Sequence, residues 1–152
     1  MLPNPDWKEF IELLNSNGVE YVVVGALALG WHGYPRFTGD VDFMVRPEPV
    51  NAERVVTALG QFGFASLGIT PTDLVTEDCI IQLGHPPVRI DLITSISGVS
   101  FDDVWAGRVR GDFDGVPVDY IGRAELIRNK RATGRLKDLG DVEELLRREL
   151  LP

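Results

Sequence analysis

The chain has 152 residues, 44% hydrophobic and 25% charged, with 15 Lys and Arg against 23 Asp and Glu, a formal charge of −8. This is an ordinary globular composition, long enough for one domain over residues 1–152 with a core of its own. The acidic balance and a pI near 4.7 argue against broad nucleic-acid binding. No apolar run is long enough to span a bilayer and no cationic-then-apolar leader opens the chain, so no membrane association is expected. The single cysteine, Cys79, excludes an internal disulfide and points to a reducing cytoplasm.

Asn4-Pro5-Asp6 has the form of a helix start, and Trp7, Phe10, Ile11, Leu13 and Leu14 follow at helical spacing up to Asn17-Gly18. Tyr21 to Val24 reads as a buried strand, Ala26 to Trp31 as a brief helix, and Val41 to Val45 as a second strand stopped by Pro47. Glu48 to Phe62 reads as an amphipathic helix with Val50, Val55, Val56, Leu59 and Phe62 inward. The stretch from Gly63 to Asp78 is irregular, with one short strand expected near Phe64 to Leu67. Cys79 to Leu83 and Val88 to Thr94 form an expected antiparallel pair, and Phe101 to Gly107 a helical turn or two. Val109 to Phe113 and Val116 to Ile121 flank Asp114-Gly115 as a hairpin. Arg123 to Thr133 and Leu136 to Leu150 read as two helices broken at Gly134. Strands and helices at irregular intervals predict an α+β sheet with helices packed on it.

The chemistry concentrates in Tyr21 to Val45, YVVVGALALGWHGYPRFTGDVDFMV. Residues i and i+2 of a strand share a face, so Asp40 and Asp42 aim two carboxylates at one spot. Adjacent like charges are costly without a cation, and paired hard oxygens suit Mg²⁺ bound together with phosphates. Gly25-Ala26 opens the following helix, where free N–H groups can receive a phosphate. An ATPase-type phosphate loop is not supported, because Gly25 to Gly30 lacks the following Lys-Ser/Thr. His32 and His85 form no metal cluster and read as structural and turn residues.

A hydrophobic strand running into Val24-Gly25-Ala26, a short helix, and then Thr38-Gly39-Asp40-Val41-Asp42-Phe43 resembles the signature of the nucleotidyltransferase superfamily, the polymerase-β-like fold. The stretch GALALGWHGYPRFTGDVDFMV is similar to a small prokaryotic group related to AbiEii-type toxins and minimal nucleotidyltransferases. The resemblance implies an α+β fold with a mixed, mostly antiparallel sheet flanked by helices. It also implies transfer of an NMP from an NTP to a hydroxyl acceptor, with two Mg²⁺ ions and a third carboxylate on a neighbouring strand. Asp91, in VRIDLITSI, matches that position. Strand alternation agrees: Ile90 and Leu92 face the core, Arg89 and Asp91 the other side. A plain Arg89–Asp91 ion pair is the alternative. One position departs from the pattern: Ala26 stands where Gly or Ser is usual and brings no hydroxyl.

By the same resemblance Thr38 holds a phosphate or fixes the turn, and Arg36 lies near nucleotide or acceptor or is an exposed loop residue. The segment Arg123 to Lys137 carries Arg123, Arg128, Lys130, Arg131, Arg135 and Lys137, a basic patch or a solvated helix face. Lys130 or Lys137 would reach the triphosphate, with Arg135, Asp138 and Asp141 in support; alternatively Lys137 and Asp141 form an i, i+4 helix pair. The acceptor implied is a partner protein, a tRNA end or a small molecule, possible contexts being toxin–antitoxin and phage defence. A catalytically inert NTP-binding or partner-neutralising module is the other reading, favoured by Ala26. A metal nuclease built on the same carboxylates would not need the phosphate-receiving helix.

Overall fold

A computed structural model describes residues 5–149. The expected cap Asn4 and the expected helix end at Leu150 lie outside the described residues. The elements in chain order are α1 (Pro5–Ser16), β1 (Tyr21–Val24), α2 (Gly25–Trp31), β2 (Asp40–Val45), α3 (Pro49–Phe62), β3 (Ile80–Leu83) and β4 (Arg89–Ile93). They continue with α4 (Phe101–Gly107), β5 (Val109–Phe113), β6 (Val116–Tyr120), α5 (Arg123–Thr133) and α6 (Leu136–Glu149).

The six strands form one mixed sheet in the order β3-β4-β2-β1-β6-β5. β1 pairs antiparallel with β2, β3 with β4, and β5 with β6, while β1–β6 and β2–β4 are parallel. The α+β architecture expected from the sequence is therefore present. Every residue of β1 is buried, which is why YVVV is uniformly apolar rather than alternating. β2 differs: its last residues, Phe43 to Val45, are buried, and its first carry the half-exposed Asp40 and Asp42. One strand thus anchors the core at one end and presents charge at the other.

Phe43 sits at the hub of that core, fully buried, edge-to-face with Phe10 of α1 at 5.5 Å and with Tyr21 of β1 at 5.6 Å. Trp7, Phe10, Ile11 and Leu14 make the buried stripe of α1, as their spacing predicts.

Two local expectations are corrected. Phe64 to Leu67 is not a strand; Ala65–Leu67 is a single 3₁₀ turn. Gly63 and Gly68 both take positive φ, 102° and 69°, and the segment between them coils instead of extending. In α3 the inward residues of the first turn are Asn51 and Ala52, and Val50 is exposed. The Asn51 side chain accepts from Glu20 N at 2.7 Å and donates to Glu20 O and Arg46 O, both at 3.0 Å. It satisfies backbone groups beside β1 and β2 that a buried valine would leave unpaired.

Phe43→Ala is expected to lower stability by about 3–5 kcal/mol through lost contacts and a residual cavity. Urea denaturation would register this as a lower midpoint at unchanged slope; a cost below about 1 kcal/mol would contradict the packing described.

Candidate functional site

The carboxylates come together because of strand register. Asp40 and Asp42 project from one face of β2, and the parallel pairing with β4 sets Asp42 opposite Asp91. One oxygen from each of the three lies within 4.8 Å of the others. Asp91 is 5% exposed, whereas Asp40 and Asp42 are half-buried. Antiparallel β1 brings Val24 beside Asp42, so the β1–α2 junction rests on this cluster.

Gly25 is required there. Its φ is +71°, and a Cβ at this position would lie 2.1 Å from Asp42 Oδ2. The glycine allows both the left-handed turn into α2 and the approach of the Asp42 carboxylate. Thr38 is buried, and its hydroxyl lies 2.8 Å from Asp40 O and 3.1 Å from Asp40 Oδ1. That geometry braces the turn into β2 and orients Asp40.

Burial raises the Asp42 pKa, and the nearby Asp40 and Asp91 charges raise it further, to about 7. Arg89 relieves the other two acids. Its Nε donates to Asp91 Oδ1 at 2.9 Å, and its Nη2 donates to Asp40 Oδ2 at 2.6 Å. The ion-pair alternative for Arg89 and Asp91 is therefore observed, and Asp40 belongs to it as well.

The cluster forms one wall of a cleft of about 480 Å³. Val24, Gly25 and Ala26 line it beside the acids, while Arg36, Lys130, Arg135 and Lys137 line the side contributed by α5, α6 and the loop before β2. Ile80, Ile93 and Ile96 give it an apolar flank, with Ser95, Ser97 and Asn129 nearby. The volume lies in the range of small-molecule sites. Gln82, Ser95 and Asn129 carry no signature in the sequence. Gln82 enters the site because antiparallel β3–β4 pairing sets it opposite Asp91.

Lys130 lines the cleft, as expected of a residue serving it, and its ammonium group is tied to two acids. It is 6% exposed, with Nζ 3.1 Å from Asp138 Oδ1 and 2.9 Å from Asp141 Oδ2. Arg36 Nη2 shares Asp141 Oδ2 at 3.0 Å, and Arg135 Nε meets Asp138 Oδ2 at 2.8 Å. Burial acts to raise the Asp138 pKa, but hydrogen bonds from Thr133, Lys130 and Arg135 outweigh it and hold the value at about 2. Asp141 is thus paired with Lys130 and Arg36 and not with Lys137, which stands exposed at the cleft rim. The basic run does not converge as a whole: Arg123 pairs with Glu149 at 2.9 Å and Arg128 with Asp103 at 3.6 Å. His32 Nε2 lies 2.6 Å from Ile121 O, a structural hydrogen bond, and His85 lies in the turn between β3 and β4.

No protein-family model and no curated protein matches this chain. Solved structures do. A candidate nucleotidyltransferase of Thermotoga maritima aligns over 97% of this chain and 96% of its own, with a TM-score of 0.61 at 13% identity. An antigenic nucleotidyltransferase-like protein of Paracoccidioides brasiliensis aligns over 92% of this chain and 74% of its own, with a TM-score of 0.52 at 17% identity. The chain has the nucleotidyltransferase fold. At these identities the likeness concerns the backbone, and what the cleft does has to be argued from its own residues. Among the described residues no helix is long and apolar enough to cross a membrane.

The raised Asp42 pKa carries a sign. In the folded chain Asp42 keeps its proton up to about pH 7, whereas in the unfolded chain it ionises near pH 4. Between those values the folded state binds the extra proton, so this group lowers stability as pH rises. In metal-free buffer the stability of Asp42→Asn relative to the unsubstituted chain is expected to grow from pH 4 to 7 and then level off. Urea denaturation across that range checks it, and a pH-independent difference would contradict it.

Proposed function

We propose that this protein is a Mg²⁺-dependent nucleotidyltransferase that moves an NMP from an NTP to a hydroxyl-bearing acceptor. The observation that carries the reading is the convergence of Asp40, Asp42 and Asp91 within 4.8 Å on one wall of a cleft whose other side is basic. The donor set fits a hard divalent cation: three carboxylates, one of them nearly fully buried, with Gly25 leaving room for the Asp42 oxygen. Asp40, Asp42 and Asp91 would hold the metal, two ions in the full assembly. When bound, the metal would neutralise the acids and stabilise charge on the transferring phosphoryl group and departing pyrophosphate.

The chain's own groups would do the positioning. Exposed Lys137 and Arg135 line the same cleft as the acids and would attract the triphosphate. Ala26 lines the cleft together with Asp42 and would offer its backbone N–H without the hydroxyl that Ser would add. Lys130, tied to Asp138 and Asp141, holds α5 against α6 and so shapes the cleft. Arg36 joins the loop before β2 to the same acids, through Asp141. The apolar flank of Ile80, Ile93 and Ile96 would receive the base. In the step itself the acceptor oxygen attacks the α-phosphorus, and the bond to the β-phosphate oxygen breaks. Pyrophosphate leaves, and the hydroxyl proton passes to a carboxylate of the cluster, Asp91 being the buried one. Most of the rate would come from position and electrostatics.

The acceptor is a hydroxyl on a protein side chain, a tRNA end or a small molecule. A role in a toxin–antitoxin or phage-defence pair belongs to the same proposal and rests on the sequence resemblance. A single domain over residues 1–152, read from chain length, and a cytoplasmic location, read from the lone Cys79, are part of the proposal as well. A catalytically inert NTP-binding module is the second reading, favoured by Ala26 and by the Arg89 guanidinium already neutralising two of the acids.

Label transfer separates the two. With each α-³²P-NTP, Mg²⁺ or Mn²⁺ and cell extract, the unsubstituted chain is expected to label a protein, RNA or small-molecule acceptor. The double substitution Asp40→Ala/Asp42→Ala should reduce labelling by at least about a hundredfold. Mg²⁺-dependent NTP binding without any transfer would favour the inert module.

A further inference from the structure

Where β2 and β4 run parallel, four charged side chains share one face. Asp40 stands opposite Arg89, and Asp42 opposite Asp91. Three acids and one base therefore occupy one patch. The guanidinium makes a fork on Asp91, with Nε 2.9 Å from Oδ1 and Nη2 3.2 Å from Oδ2. The same Nη2 reaches across to Asp40 Oδ2 at 2.6 Å. One planar cation thus spans carboxylates from both strands, two of the three that together could hold a metal ion. Such charge-assisted contacts are the strong ones, and their geometry excludes a metal from the same lone pairs. The Arg89 side chain is 26% exposed, against 7% for that of Asp91, so it has an open side toward which to move.

We infer that Arg89 is a resident counter-cation of the carboxylate cluster, which a divalent ion must displace and which then pairs with the phosphates arriving with that ion. The inference rests on the metal-site reading above. A bare ion has to break contacts to Asp40 and Asp91 and leaves a guanidinium without a partner, so it binds weakly. An ion arriving as a polyphosphate chelate supplies anionic oxygens for the displaced guanidinium, which grips phosphate as readily as carboxylate. Metal and triphosphate binding are therefore positively coupled, with Arg89 as the positioning residue that couples them. Without Arg89 the cluster would be an open trap for any divalent ion, with or without substrate.

The test is Mn²⁺ binding by calorimetry, with and without inorganic tripolyphosphate, to the unsubstituted chain and to Arg89→Gln, Arg89→Lys and Asp42→Asn. Arg89→Gln is expected to bind Mn²⁺ alone about tenfold more tightly than the unsubstituted chain. It should also lose the enhancement that tripolyphosphate confers on Mn²⁺ binding. Arg89→Lys keeps the charge without the fork and should fall between the two in Mn²⁺ affinity, retaining part of the enhancement. Circular dichroism establishes folding of each variant; if Arg89→Gln does not fold, Arg89→Lys carries the comparison. Equal Mn²⁺ affinity with and without the Arg89 substitutions, when Asp42→Asn abolishes binding, would overturn the role of Arg89 and leave the metal site standing. Mn²⁺ binding that is absent throughout, or indifferent to Asp42→Asn, would overturn both.

Discussion

Three carboxylates within 4.8 Å of one another are a standing electrostatic strain on this fold, and much of its architecture around β2 and β4 responds to it. The acids cannot move apart. Asp40 and Asp42 are tied to β2, whose next residue, Phe43, is locked in the centre of the core by Phe10 and Tyr21. Asp91 lies on β4, which is fixed by its register with β2 on one side and β3 on the other. The strain is relieved by Arg89 across Asp40 and Asp91, and by the proton that Asp42 retains up to about pH 7. On the proposed function, a divalent cation would take over the role of both.

The opposite wall is organised by a second charge network that is balanced within itself. Lys130 is buried between Asp138 and Asp141, and Arg36 and Arg135 complete the partners of those acids. Removing one member of a buried pair leaves the other unpaired, so these residues act together in holding α5 and α6 at the cleft edge. Arg36 extends the network to the segment that leads into β2. The loop carrying Thr38 is thereby joined to α5 and α6, and the exposed Lys137 and Arg135 of that unit line the same cleft as the acids.

How much of this was legible depended on sequence distance. The strand–glycine–helix–strand pattern of Tyr21 to Val45 is local, and it yielded β1, α2, β2 and the shared face of Asp40 and Asp42. Asp91 was readable because alternation along a strand is also local, and the family resemblance supplied its partner strand. Arg89 was visible only as a neighbour of Asp91, since its contact with Asp40 depends on the β2–β4 register between segments 49 positions apart. The pairing of Arg36 with Asp141 spans 105 positions and has no local signature, and it removed the supposed Lys137–Asp141 pair. Asn51 escaped for a similar reason: a polar residue turns inward in α3 because Glu20 and Arg46 need hydrogen-bond partners there. Phe64 to Leu67 was expected as a short strand, but only Phe64 favours one, and the flanking positive-φ glycines coil the segment.

The central claim is that Asp40, Asp42 and Asp91 form a divalent-metal centre on which a nucleoside triphosphate is bound. Crystals grown with Mn²⁺ and a non-hydrolysable NTP analogue, measured at a wavelength where manganese scatters anomalously, test it most directly. Anomalous density is expected among the three carboxylates, within direct coordination distance of their oxygens, with Arg89 withdrawn from Asp40 or Asp91. Manganese bound elsewhere, with the guanidinium still spanning both acids, would contradict it.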